Sequence, residues 1–117
     1  GGGISRPAVI EEVKKDGMFL EKVAREYGDD IEVVSLAVQN NANAFAFASK
    51  KLRENKEAVQ LFVDTKKADL EEEKMKGASD AVLNNLQNQI QVILDLHERA
   101  LEEKEQSHYH GMSMWGR

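Results

Sequence analysis

Apolar residues in the first half of the chain recur in pairs four apart, Val9/Val13, Val34/Val38 and Val59/Val63, which puts both members on one face of a helix. Shifted by 25 residues, the chain aligns with itself: Leu20 meets Phe45, Val23 meets Ala48 and Tyr27 meets Leu52. Each unit predicts a short opening helix, a break at Asp16-Gly17 or Asn40-Asn41, and a second helix. Gly17 reads as a residue free to take left-handed dihedrals, with Asp or Asn capping the second helix. The second helix carries Phe19, Leu20, Val23, Ala24 and Tyr27 up to a stop at Gly28, and in the next unit Ala44, Phe45, Ala48, Ser49 and Leu52. Asp29-Asp30 and Asn55 offer oxygens to cap the opening helices of the next units. The units span about 7–29 and 30–54, with a partial third at 56–63.

After Val63 the pattern changes. Segment 64–78 holds few apolar residues among many charges and predicts a solvated helical extension, with Lys66 among its exposed charges. Gly77, Ser79 and Asp80 supply a stop and a start, so the chain reverses there. The last helix, about 80–105, places Leu83, Leu86, Ile90, Ile93, His97 and Ala100 at steps of three and four, opposite a face of uncharged amides. Stacked helix pairs leave an open end that must be covered, and the hairpin at 64–105 is the segment that can cover it. The fold class is therefore all-α, stacked short helix pairs capped by a longer C-terminal hairpin. Residues 1–5 are expected to be scar sequence or disordered, 6–105 one domain, and 106–117 a flexible tail.

Composition narrows the chemistry. A length of 117 residues, 41% of them hydrophobic and 32% charged, fits one compact soluble domain. Sixteen Lys and Arg against 21 Asp and Glu leave a charge of -5, which argues against nucleic acid as a partner. The single Pro favours helices throughout. The absence of Cys removes thiol catalysis and disulfides and fits a reducing, cytoplasmic setting. No apolar run reaches the roughly 20 residues of a membrane span, so no membrane partner is expected.

Candidate sites are few. His97, His108 and His110 form no cluster with metal-ligand spacing, and Glu71-Glu72-Glu73 and Glu102-Glu103 point in diverging directions on a helix. No catalytic, cofactor-binding or metal residue is predicted, and no cofactor. Phe47 aligns with Lys22, a surface position, so it is either a partner anchor or packed beneath the C-terminal hairpin. Met18 and Phe19 pose the same alternative; Trp115 and the rim lysines Lys50 and Lys51 complete the partner-binding candidates.

The run Val-x-x-Asp-Gly-x-x-Leu at 13–20, then Glu-Tyr-Gly-Asp-Asp, Val-Val-Ser-Leu-Ala-Val and Phe-Ala-Ser-Lys-Lys-Leu-Arg-Glu-Asn-Lys-Glu at 47–57, resembles a repeat family of unknown function built from paired short helices. That resemblance covers about Val9 to Val63 and implies a stacking scaffold. The whole chain also resembles the small Legionella inhibitors of the ubiquitin deamidases MavC and MvcA. The resemblance implies a non-catalytic effector that occludes the substrate site of such an enzyme in the host cytosol. A structural or oligomerisation module, a homodimer through the Leu83 to Ala100 seam, is the alternative.

Overall fold

The computed structural model describes residues 3–113, with side chains through residue 105. Helix α1 (Arg6–Lys15) leads through a 3-10 turn (Gly17–Phe19) into α2 (Leu20–Tyr27). Helix α3 (Ile31–Asn40) leads through a longer 3-10 segment (Ala42–Phe47) into the short α4 (Lys50–Glu54). Helices α5 (Lys56–Met75) and α6 (Asp80–Ser113) form the closing hairpin. No strand occurs among the described residues.

Caps explain where the helices begin. Asp30 accepts from the backbone N–H groups of Glu32 and Val33, and Asn55 does the same for Glu57 and Ala58, so each offers a short side-chain oxygen to orphan donors of a first turn. Asp16 and Asn41 share an extended backbone and open the two 3-10 segments alike, accepting from Met18 and Asn43. The opening helices start at Arg6, Ile31 and Lys56, at steps of 25 residues, but the second halves of the units differ. Helix α2 bends at Val23, whereas Ala48 turns extended (ψ 158°) and Ser49 restarts the chain as α4. The single second helix read for unit two is thus broken in two.

The valine pairs meet in one core. Val9, Val13, Val33, Val34, Val38, Val59 and Val63 are buried with Leu20, Phe45, Leu52 and Phe62. Phe45 and Phe62 pack edge to face at 5.5 Å between centroids, which ties the second 3-10 segment to α5. Gly17 departs from its predicted role, since positive φ occurs only at Gly77 among the described residues. A Cβ on Gly17 would run into the carbonyl oxygen of Ala37, so this glycine is set by how closely the turn approaches α3. Gly28 likewise has φ -64°; its carbonyl accepts from Ser49 N–H at 2.7 Å.

The 64–78 segment also differs from its sequence reading. Helix α5 is continuous from the third unit into the hairpin, and Leu70 and Lys66 on it are buried, the latter only 3% exposed. The segment is therefore not solvated on all sides: Val59, Phe62, Val63, Lys66 and Leu70 form one inward row. Gly77 (φ 77°) ends α5, donating to the Lys74 carbonyl while Ala78 donates to that of Glu73, which satisfies the last turn before α6 begins. Ile93 and Ala100 of α6 are fully buried against the body, so the predicted seam is used within the chain, and α6 continues past Glu105 to Ser113.

Candidate recognition surface

The short helix α4 is held from both ends. Its capping Ser49 accepts from Leu52 N–H at 3.1 Å and donates its hydroxyl to Asp29 at 2.6 Å, which ties it to the end of α2. At the other end Arg53 Nε donates to the Ala48 carbonyl, and the Arg53 carbonyl lies 2.6 Å from His97 Nδ1. A carbonyl can only accept, so Nδ1 carries the proton in that contact. His97 is thereby occupied in closing α4 against α6.

This contact decides what stands beside Lys50 and Lys51. Lys104 lies seven residues beyond His97, two helical turns, and so shares its face of α6. Lys50, Lys51, Glu54, Asn55 and Lys104 line an open depression of about 440 Å³. None of its three lysines lies within 4.0 Å of a carboxylate among the described residues. Three ammonium groups against one carboxylate therefore make a basic island on a chain of charge -5. Its chemistry is multivalent donation to carboxylates, with charge attraction across the gap.

The other sequence candidates do not join it. Phe47, Met18 and Phe19 are half-buried and packed against the core. Lys22 Nζ lies over the Phe19 ring at 5.9 Å. Trp115 lies outside the described residues. Sequence reasoning misses Lys104, because its neighbours Lys50 and Lys51 are some fifty residues distant and nothing local marks the meeting. Among the described residues no group of three His, Cys, Asp or Glu is placed to hold a metal ion, and no helix is long and apolar enough to cross a membrane.

Fold and surface together define an all-helical scaffold of stacked short helices with a projecting hairpin. Residues 9–63 match the family model described as "Domain of unknown function (DUF4116)", which is what this half of the chain is similar to. The span runs from the first repeating valine to the last, and leaves the hairpin beyond Val63 unmatched. No curated protein and no solved structure matches the chain.

Proposed function

We propose that the chain is a non-catalytic protein-binding module that inhibits an enzyme acting on ubiquitin, a deamidase or transglutaminase, by covering its substrate site. The observation that carries protein binding is the convergence of Lys50, Lys51 and Lys104, three cations from elements distant in sequence with no ion pair among the described residues, on an open surface of an acidic molecule. A partner with clustered carboxylates would gain in encounter rate and register there. The enzyme class rests only on the resemblance of the whole chain to inhibitors of MavC and MvcA, and the host cytosol as its setting rests there too. Adding the chain at a one-to-one ratio to either deamidase should suppress ubiquitin deamidation, and Lys50→Glu/Lys51→Glu/Lys104→Glu should restore it. Undiminished deamidation with the unaltered chain refutes the assignment.

Self-association is a second reading with its own observation. The Leu83 to Ala100 seam is consumed internally, but Leu94 and Leu101, seven residues apart on the outward side of α6, are both exposed. A homodimer would use that pair. Sedimentation of a concentration-independent monomer removes it.

A further inference from the structure

The arms of the hairpin carry an apolar groove beyond the family-matched region. Ala81, Val82, Asn85 and Leu86 of α6 form one wall, adjacent turns of a single face, and Asp69, Glu72 and Glu73 of α5 form the other. The space between them is about 480 Å³, within the roughly 300–1,000 Å³ typical of occupied binding clefts. Val82 is exposed in it, and Met75, at the same end of the hairpin, is 89% exposed. Apolar side chains thus face water at the mouth of this two-helix hairpin.

The acidic wall specifies the occupant. Glu72 and Glu73 share one surface cation, Lys76, at 3.1 and 3.9 Å, a pair at the rim that yields readily. Lys66, one turn before Asp69 on the same helix, gives its ammonium to the Gln39 carbonyl, and Asp69 has no ion pair within 4.0 Å among the described residues. The groove thus offers an apolar strip beside three carboxylates that share one surface ammonium, Lys76.

We propose that this groove binds an amphipathic helix of a protein partner, its apolar stripe against Ala81, Val82 and Leu86 and its flanking Lys or Arg against Asp69, Glu72 and Glu73. Two antiparallel helices leave a furrow that a third fills by ridges-into-grooves packing, and the carboxylates set the charge that the third must carry. A second copy fits this wall poorly, because its own exposed leucines, Leu94 and Leu101, stand among Asp95, Glu98 and Glu102 and would bring carboxylates to carboxylates. The proposal rests on the protein-binding reading above but uses another surface. Leu86 and Lys104 are 18 residues apart on α6, about 27 Å along its axis.

The test uses the full chain and two synthetic helical peptides of about 18 residues, a leucine stripe flanked by Lys and the same stripe flanked by Glu. Fluorescence anisotropy should show the Lys peptide binding at least about tenfold tighter, more weakly as salt rises from about 50 to about 300 mM. Glu72→Lys/Glu73→Lys and Val82→Asp should each weaken it by about tenfold or more, with thermal unfolding by circular dichroism unchanged because all three positions border solvent. Asp95→Lys/Glu98→Lys, on an acidic stretch of α6 away from the groove, should leave binding as it was. Equal binding of the two peptides overturns the proposal, as does equal loss in the Asp95/Glu98 variant, which means diffuse charge attraction. A dimer that Val82→Asp abolishes assigns the groove to a second copy and overturns the helix of another protein. Peptide binding without deamidase inhibition supports the groove and removes the enzyme assignment. Inhibition without peptide binding does the reverse.

Discussion

Lys66, on α5, donates its ammonium to the Gln39 carbonyl at 2.8 Å and so closes the C-terminus of α3. Asn40 does the same one unit earlier, donating to the carbonyls of Lys14 and Lys15 while accepting from Gly17 N–H at 2.7 Å, and His97 meets the Arg53 carbonyl at the end of α4. Each time, a helix leaves last-turn carbonyls without intrahelical partners, and a side chain from a later element supplies the donor. The stack is therefore locked by polar contacts at helix ends as well as by its valine core.

Burial pushes the Lys66 amine below the usual lysine value of 10.5, opposed by the charge of Asp69. With a folded-state value below the unfolded one, the unfolded chain holds the proton more firmly, so stability rises with pH through the window between them and is lost as pH falls through the folded value. Urea unfolding should show the unaltered protein gaining on Lys66→Met as pH climbs toward 10.5 and then levelling off. Lys66→Glu, which turns a carboxylate toward the Gln39 carbonyl, should cost about 3–5 kcal/mol at neutral pH. A parallel pH profile for the unaltered protein and Lys66→Met would show that the amine is not desolvated.

The two cap roles of Asp30 can be separated. Its carboxylate accepts from the first turn of α3 and also pairs with Arg6 at 2.8 Å, which holds it below the usual carboxylate value of 3.8. Asp30→Asn keeps an N-cap acceptor and loses the ion pair, so it should cost less than about 1 kcal/mol, because Arg6 is well exposed. Asp30→Ala loses both and should cost about 1–2 kcal/mol. The advantage over Asp30→Asn is present above pH 3.8 and disappears as pH falls through the lowered folded value. Equal costs for the two variants by denaturant unfolding would contradict the capping role.

Two glycines are required for different reasons, and one substitution tells them apart. Gly77 sits at φ 77° with nothing within 4 Å of where a Cβ would stand, so only its dihedral is demanding, and Asn tolerates that region. Gly77→Asn should lower stability by about 1 kcal/mol or less. Gly17 has no positive φ, but any side chain meets the backbone of Ala37, so Gly17→Asn should cost about 2 kcal/mol or more as α1 and α3 are forced apart. Differential scanning calorimetry giving the reverse order would mean that the turn is not packed as described.

These residues also show what is legible in sequence. Spacing of four locates the valines, because a buried helical face must be apolar, and it places Phe45 in the core through its alignment with Leu20. Cap chemistry marks Asp30 and Asn55 as helix starts, since short oxygen-bearing side chains suit that position. Lys66 reads as solvated because its type outweighs its position, although it falls in step with Val59, Phe62, Val63 and Leu70. The Ala-rich run at 42–47 satisfies helix propensity, yet the core draws it into a 3-10 segment that buries Ala42, Ala44 and Phe45. Lys50 and Lys51 are visible as surface cations, but their meeting with Lys104 depends on α4 being pinned through His97, a long-range contact with no local signal.

That pinning yields a last contrast. His97→Phe keeps the bulk of the ring and removes the donor to the Arg53 carbonyl, which should cost about 1 kcal/mol of stability and loosen α4. Because α4 carries Lys50 and Lys51, loosening it spreads the three ammonium groups, so partner affinity should fall mainly through faster dissociation. Lys50→Glu/Lys51→Glu leaves the helix in place and reverses the charge, so it should slow association and flatten its salt dependence with little change in thermal unfolding. Stopped-flow binding to the partner separates the two. If both variants altered only the dissociation rate, long-range attraction would play no part in how this surface finds its target.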